Sequence, residues 1–208
     1  MTTQIVLATG NPGKLHEFRE LLAARPIHLV PQSDFAVPAV EETGLSFVEN
    51  ALIKARHAAA ITGLPAIADD SGLEVDALRG APGIYSARFA GPGASDEANN
   101  AKLLEQLQGF TGEQRRARFQ CLLVYLRHAH DPTPVICQGT WEGLIASQRS
   151  GDQGFGYDPL FFVPDQQCTA AALSRDTKNR LSHRGQAMRQ LLDRLPFSDG
   201  QPTAAHHR

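Results

Sequence analysis

The chain has 208 residues, of which 42% are hydrophobic and 20% are charged, and its formal net charge at pH 7 is −2. The near balance of acidic and basic residues disfavours a protein that holds nucleic acid on a basic surface. This length and hydrophobic content suit one core, so we expect residues 1–196 to form a single domain and residues 197–208 to form a disordered tail.

The sequence contains no apolar run near the roughly 18 residues that a membrane-spanning helix needs. Its first residues, Met1–Gln4, lack the basic start of a signal peptide. We therefore expect a cytoplasmic protein without a membrane partner. The cysteines Cys121, Cys137 and Cys168 lack the close spacing of metal ligands, so we interpret them as reduced packing residues.

The first predicted unit is a strand, a tight loop and a helix. The apolar run Ile5–Ala8 predicts the strand, and Asn11 and Pro12 are typical of the N-cap and first position of a helix. The connecting loop, Thr9–Lys14, brings glycines, free amides and a lysine to the helix start, where phosphate is readily bound. A capped helix start with an exposed lysine explains the loop equally well. It is not a Walker A loop, because its glycines are too closely spaced.

A second helix and a second strand follow. Ser46–Glu49 form a capping box that predicts a helix ending at Gly63. Just before it, Glu41 and Glu42 either supply carboxylates to a cation or simply favour a helix N-terminus. Residues 65–68 predict a short strand, and we expect loop structure from residue 69 to residue 94.

Asp69 and Asp70 stand at the end of that predicted strand. Neighbouring strand residues point to opposite faces, so we expect the two carboxylates to have different roles. One could bind a divalent cation such as Mg²⁺, and the other could orient or deprotonate a water molecule. The run Asp69–Gly72 is also common in turns.

The second half of the chain predicts a helix over about 96–108, an antiparallel pair of strands over 119–126 and 135–145, and a last helix starting near Ser182. The residues of the first of these helices expected to face the core are Ala98, Ala101, Leu104 and Leu107. This order of elements predicts an α/β fold, with a mixed, twisted sheet flanked by helices and two lobes around a cleft.

Two further segments carry candidate binding residues. Gly154–Pro159 places aromatic rings among glycines, where a flat base could stack, although the rings could equally fill the core. Lys178, His183 and Arg184 add side chains suited to phosphate or a carbonyl edge, or else form a solvated basic helix start.

Taken in order, these motifs resemble those of the Ham1/RdgB family, the inosine/xanthosine triphosphate pyrophosphatases. The resemblance covers about residues 4–195, and no motif position departs from the family pattern. The motifs are TGNPGK at 9–14, EETG at 41–44, FVENA at 47–51, ADDSGL at 68–73, GAPGIYSAR at 80–88, GFGYDP at 154–159 and SHR at 182–184.

The resemblance implies a homodimeric enzyme that uses Mg²⁺ to hydrolyse ITP, dITP and XTP to the monophosphate and pyrophosphate. Such an enzyme keeps deaminated purines out of DNA and RNA. The alternatives are a Maf-like pyrophosphatase acting on pyrimidine or modified nucleotides, and a nucleotide sensor without turnover. The paired carboxylates argue against the sensor, because binding alone does not need them.

The resemblance also implies roles for individual residues. Asp70 would be both the general base and a metal ligand, Glu42 would assist at the metal, and Asp69 is a second candidate. The residues implied to hold the triphosphate are Thr9, Gly10, Asn11, Pro12, Gly13 and Lys14. Those implied to contact the rest of the nucleotide are Ser71, Phe155, Gly156, Tyr157, Asp158, Lys178, His183 and Arg184.

Overall fold

The computed structural model describes residues 3–23 and 25–195, so the tail predicted for residues 197–208 lies outside the described residues. The helices are α1 (Pro12–Leu22), α2 (Phe47–Thr62), α3 (Asp96–Gln106), α4 (Arg175–Leu181) and α5 (His183–Arg194). The strands are β1 (Thr3–Leu7), β2 (Ile27–Pro31), β3 (Ala66–Val75), β4 (Arg116–Leu126), β5 (Val135–Ile145), β6 (Phe161–Val163) and β7 (Cys168–Thr169).

The described strands form one sheet in the order β2-β1-β3-β4-β5-β6-β7. β1 pairs in parallel with β2 and β3, and the remaining pairs are antiparallel. Helices α1 and α5 pack on one face of this sheet and α2 on the other. The predicted α/β fold with a mixed sheet is therefore confirmed.

Helices pack on both faces of the sheet. On one face, Phe18 of α1 and Met188 of α5 share a buried cluster with residues of β1, β3 and β4. On the other face, α2 presents a stripe of alanines, which allows the helix backbone to approach the sheet closely. A third cluster, around Phe119, Trp141 and Phe161, fills the half of the molecule that holds β5 to β7.

The helix starts that border the site are fixed by local caps. Asn11 caps α1 by accepting a hydrogen bond from the Lys14 amide, and Ser46 caps α2 by accepting one from the Glu49 amide. Ser182 caps α5 in the same way. The predicted starts of these three helices are confirmed, because each depends on residues within one turn of the cap.

The loop predicted over 69–94 is wrong for residues 69–75. These residues continue β3, and every one of them from Asp69 to Val75 has a partner on β4. The turn-type residues Asp69–Gly72 are held in an extended conformation by this ladder. β2, β7 and α4 also lie where no element was predicted.

The predicted inward face of α3 is partly wrong. Ala98 and Ala101 are exposed, whereas Asn99 and Asn100 are buried together with Leu103 and Leu107. The asparagines are buried because their side-chain amides bond to backbone groups of neighbouring loops. Leu104 is partly buried.

Cys121 and Cys137 are buried, Cys168 is partly buried, and all three are free, in agreement with packing roles. No helix in residues 3–23 and 25–195 combines the length and the apolar character needed to cross a membrane.

Candidate active site

A cavity of about 370 Å³ lies over the middle of β3. The starts of α1 and α5, part of α2 and the segments 84–88 and 155–158 border it. The predicted residues that line it are Thr9, Gly10, Asn11, Lys14, Glu42, Asp70, Ser71, Phe155, Gly156, Tyr157, Asp158, Lys178, His183 and Arg184. Pro12, Gly13, Glu41 and Asp69 are not among its lining residues.

The loop at the start of α1 has the geometry of an anion site. The Asn11 amide donates to the Thr9 hydroxyl at 3.2 Å, and the Asn11 side chain accepts from the Lys14 amide at 3.1 Å. Space beside Gly10 is open: a side chain there would meet nothing within 4 Å. The helix start and the Lys14 ammonium both favour negative charge in this space.

Asp69 lies beneath the cavity on the face of β3 that meets α1 and α5. Its Oδ2 is 2.7 Å from Lys14 Nζ and 3.7 Å from the Arg184 guanidinium, and it accepts a hydrogen bond from the Ser71 hydroxyl at 3.0 Å. Burial alone would raise the pKa of Asp69, but Lys14 and Arg184 outweigh burial and hold that pKa well below its ordinary value. Asp69 is therefore a permanent anion that anchors Lys14.

Asp70 faces the opposite side of β3, towards α2. Its Oδ1 is 2.8 Å from Lys54 Nζ, and Asn50 Nδ2 lies 3.5 Å from its Oδ2. Burial raises the pKa of the Asp70 carboxyl, and Lys54 only partly offsets this effect. The two side chains lie on opposite faces of β3, as expected for neighbouring strand residues, and Asp70 has the higher proton affinity that suits a base. The different roles of the two carboxylates stay a prediction.

The carboxylates of Asp70 and Glu42 both contact the ammonium of Lys54, a residue of α2. Lys54 Nζ is 3.2 Å from Glu42 Oε1 as well as 2.8 Å from Asp70 Oδ1. In the described residues, no group of three or more His, Cys, Asp or Glu side chains could hold a metal ion. Mg²⁺ is typically bound by one or two carboxylates together with substrate phosphates and water, so Asp70 and Glu42 fit that ion.

At the far end of the cavity, Phe155 lies across the start of α1. A side chain on Gly13 would come within 2.8 Å of the Phe155 ring, so the glycine is what allows this contact. Lys178 Nζ and the Arg184 guanidinium lie 5.1 and 5.7 Å from the ring centroid. The Cδ1–Cε1 side of the ring therefore packs against Gly13, with two cations near the ring.

Glu17 of α1 accepts hydrogen bonds from both of these cations, Lys178 and Arg184. Lys178 Nζ donates to Glu17 Oε1 at 3.0 Å, and Arg184 donates to Glu17 Oε2. Lys178 also donates to Asp158 Oδ2 at 2.7 Å. Burial alone would raise the pKa of Glu17, but Arg184 and Lys178 outweigh burial, so that pKa is lowered.

His183 is buried, and its ring stacks on Phe119 with 4.8 Å between centroids. Burial, together with Arg184 and Lys178, keeps the pKa of His183 well below its ordinary value, so the imidazole is neutral. Within the described residues, His183 Nδ1 and Arg184 Nε have no hydrogen-bond partner. Both residues line the cavity, although these two atoms are themselves buried.

Tyr157 and Asp158 are both buried in the wall of the cavity. The Tyr157 hydroxyl donates to the Ser86 carbonyl at 2.8 Å, and its ring belongs to the core cluster around Phe119. Asp158 accepts from the Phe155 amide at 2.9 Å. These contacts shape the loop. Tyr157 fills the core, as one of the two alternatives expects, whereas Phe155 faces the cavity, where base stacking stays a prediction.

No sequence motif points to Lys54 or Glu17. Both are charged residues on helices, where a solvated position is the usual expectation. Their positions carry a weak signal, because Lys54 lies one turn after the buried Asn50 and Glu17 lies one turn after Lys14.

The model of the Ham1 family matches residues 5–194. A dITP/XTP pyrophosphatase of Thioalkalivibrio sulfidiphilus is 65% identical over 192 residues, which cover 92% of this chain and 98% of that protein. A dITP/XTP pyrophosphatase of Escherichia coli O157:H7 is 58% identical, with the same coverage.

Solved structures agree with these sequence comparisons. A Ham1 protein from Coxiella burnetii has a TM-score of 0.85 at 52% identity, covering 91% of this chain and 96% of that chain. The Staphylococcus aureus Ham1 protein has a TM-score of 0.81 at 43% identity, covering 92% and 97%. The resemblance carried by the sequence motifs is confirmed, and this chain belongs to the Ham1 family.

Proposed function

We propose that this protein is a nucleoside triphosphate pyrophosphatase that converts dITP, ITP and XTP to the monophosphate and pyrophosphate, and so removes deaminated purines before they enter DNA or RNA. The observation that carries the proposal is Asp70, a buried carboxylate of raised pKa that lines a cavity beside an anion-binding helix start. The names of the relatives support the choice of substrates.

The triphosphate is held by the start of α1. The partial positive charge of the α1 start and the Lys14 ammonium attract its phosphates, and Asp69 keeps Lys14 in place. Charge in the transition state is spread over phosphate oxygens, so donors fixed in advance stabilise it without reorganisation.

Asp70 acts as the general base. A water molecule forms the new bond to phosphorus, Asp70 takes its proton, and the bridging oxygen between the α- and β-phosphates leaves with the other product. Attack on either of these two phosphorus atoms gives the same monophosphate and pyrophosphate. A pKa raised by burial strengthens Asp70 as a proton acceptor.

The carboxylates of Asp70 and Glu42 would hold Mg²⁺, with Lys54 moving aside or remaining as a second cation. When bound, Mg²⁺ offsets the negative charge on the phosphate oxygens. Glu42 has no direct role in proton transfer in this proposal.

The base is recognised beside Phe155. This residue offers a ring for stacking, and we assign the donor to Arg184, which lines the same cavity 5.7 Å from the ring centroid. Hypoxanthine and xanthine carry a carbonyl at position 6, which accepts a hydrogen bond, whereas adenine carries an amino group there. A donor left without a partner by adenine costs about 1–3 kcal/mol, so several such contacts are needed for strong discrimination.

The direct test is pyrophosphate release from ITP, XTP, dITP, GTP, ATP, dTTP and UTP, each measured with Mg²⁺ and with EDTA. We expect metal-dependent release from ITP, XTP and dITP well above GTP and ATP. A preference for pyrimidine nucleotides would instead support the Maf-like alternative. ITP binding without turnover of any nucleotide would support the sensor.

We also propose, on the family resemblance, that the protein is a homodimer. Light scattering at micromolar concentration tests this directly, and a monomer mass would contradict it.

A further inference from the structure

Phe155 lies on a loop that is held by α3, a helix whose Asp96 also lines the cavity. The Gly156 amide donates to Asp96 Oδ2 at 2.6 Å, and Asn100 Nδ2 donates to the Gly156 carbonyl at 2.8 Å. Both polar backbone groups of the residue after Phe155 are therefore bound by one helix. We call this pair of contacts the α3 clamp.

The clamp is itself anchored in the core. Asn100 is 1% exposed, and its amide also donates to the Asp96 carbonyl at 2.6 Å, which joins the two clamp residues. Asn99 accepts from the Ala90 amide at 2.7 Å and donates to the Ala87 carbonyl at 3.2 Å. These bonds fix α3 to residues 87–90, just after the Ser86 carbonyl that receives the Tyr157 hydroxyl.

Without the clamp, the glycines on both sides of Phe155 would leave the loop backbone free to change conformation. Gly154 and Gly156 flank Phe155 with φ of +78° and +61°, in a region that glycine enters without steric cost. The Asp158 side chain binds the Phe155 amide, but it holds the loop only from the side of α4. The position of the Phe155 ring over Gly13 therefore depends on both attachments.

We propose that Asp96 and Asn100 are positioning residues that hold Phe155 at the depth at which a purine stacks on it. This inference rests on the proposed function for its ligand. The part of the site proposed to bind phosphate is formed by other elements, the start of α1 and β3 with Asp70. Loss of the clamp should therefore weaken binding of the nucleoside monophosphate and leave binding of pyrophosphate unchanged.

The test compares Asp96→Ala and Asn100→Ala with a matched control, Glu97→Ala. Glu97 is the other acidic residue in the first turn of α3, so its removal costs the helix the same charge, and its only described ion pair is with Arg149 at 3.9 Å. Asp96→Asn is the conservative variant, because its amide oxygen can still accept from the Gly156 amide.

The first measurement is hydrogen–deuterium exchange of the peptide covering residues 150–160, without any ligand. We expect about tenfold faster exchange in Asp96→Ala and Asn100→Ala, which corresponds to loss of one charge-assisted or buried hydrogen bond. We expect no change in Glu97→Ala and near-complete recovery in Asp96→Asn. Equal exchange in all four variants would overturn the proposal.

The second measurement is inhibition by the two products. We expect the inhibition constant of IMP to rise about tenfold in the two alanine variants, with that of pyrophosphate staying within about twofold. An equal rise for both products would mean general damage and would also overturn the proposal. Should Asn100→Ala not fold, the Asp96 variants decide, since Asp96 is at the exposed start of the helix. Absence of turnover in the unmodified protein would contradict the proposed function alone, because the exchange measurement needs no substrate.

Discussion

Asp70 is the residue on which turnover should depend most. In Asp70→Asn, the side chain keeps its size and its place beside Lys54 but loses its ability to accept a proton. We expect kcat for ITP to fall by about 10²–10⁴-fold, the usual contribution of a general base. Nucleotide affinity should be largely retained, because the start of α1 and the base end of the cavity are unchanged. Steady-state kinetics and calorimetric titration with ITP measure the two quantities separately.

The matched control is Asp165→Asn, which removes an exposed carboxylate far from the cavity lining. Its kinetics should equal those of the unmodified protein. Turnover by Asp70→Asn at a near-normal rate would remove Asp70 from the mechanism.

Glu17 should contribute to folding stability as well as to the site. In Glu17→Gln, Lys178 and Arg184 each lose a charged acceptor, although Asp158 and Asp69 remain beside them. Hydrogen bonds to charged groups contribute about 1.5–3 kcal/mol, so we expect the free energy of unfolding at pH 7 to fall by about 2 kcal/mol. Urea unfolding measures this change. Glu20→Gln, one turn along α1 and more exposed, should cost much less.

The same variant predicts a pH dependence with a defined sign. The pKa of Glu17 in the folded protein lies below its ordinary value of 4.5, so its stabilising contribution is present above pH 4.5 and is lost as the pH falls through the folded value. The stability difference between the unmodified protein and Glu17→Gln should therefore hold from pH 7 down to about pH 4.5 and narrow as the pH falls further. A difference that stays constant or widens below pH 4.5 would contradict the ion-pair interpretation.

At the scale of elements, local signals predicted the helices that border the site. Asn11 and Ser46 mark the starts of α1 and α2 because an N-cap acts on an amide only three residues away. β3 could not be predicted beyond Ala68, since Asp69–Gly72 are turn-type residues whose extended state is imposed by β4, a distant partner in sequence. The face of α3 was mistaken for a similar reason: Asn99 and Asn100 are buried by bonds to distant loops.

The same distinction separates the predicted from the unpredicted site residues. Lys14 follows a glycine and Asp70 follows the apolar run that predicts the start of β3, and in both places the local sequence indicates a ligand-facing position. Lys54 and Glu17 acquire their roles only when the helices carrying them pack against β3, α4 and α5, where they meet carboxylates or cations from elsewhere in the chain. A pattern read along one helix does not contain that information.

The loop before α2 makes a prediction at the element scale. The Gly44 amide donates to Asn50 Oδ1 at 2.8 Å, and a side chain on Gly44 would come within 2.5 Å of the Glu49 Cβ atom. Gly44→Ala should therefore push the loop outward and move Glu42 away from Asp70. We expect the Mg²⁺ concentration for half-maximal turnover to rise at least about tenfold, because one of two carboxylate ligands is displaced.

Gly63→Ala is the matched control for that variant. It lies at the other end of α2 with φ of +67° and open space around it, so alanine strains the backbone without touching the site. It should lower stability by about 1 kcal/mol and leave the Mg²⁺ dependence unchanged. An unchanged Mg²⁺ requirement in Gly44→Ala would argue against Glu42 as a metal ligand.

At the scale of the whole molecule, the charges around the cavity determine how strongly a triphosphate binds without a metal ion. Four cations of the site are already paired: Lys14 with Asp69, Lys54 with Asp70 and Glu42, and Lys178 and Arg184 with Glu17. Asp158 and Asp69 add further contacts to the last two cations. At Lys54, two carboxylates face one cation, and the chain as a whole carries a formal charge of −2. The phosphates of a metal-free triphosphate are therefore repelled at this point of the site.

This excess of carboxylates predicts that metal removal weakens binding as well as turnover, and that neutralising one carboxylate partly restores metal-free binding. In Glu42→Gln, we expect ITP in EDTA to bind about threefold to tenfold more tightly than to the unmodified protein, because one unit of repulsion is removed at the phosphate end. With Mg²⁺ present, the same variant should turn over more slowly. Glu41→Gln is the control, since Glu41 is exposed and outside the cavity lining. Metal-free affinity that is equal in all three proteins would show that the carboxylates do not repel the substrate, and would leave coordination as the only role for Glu42.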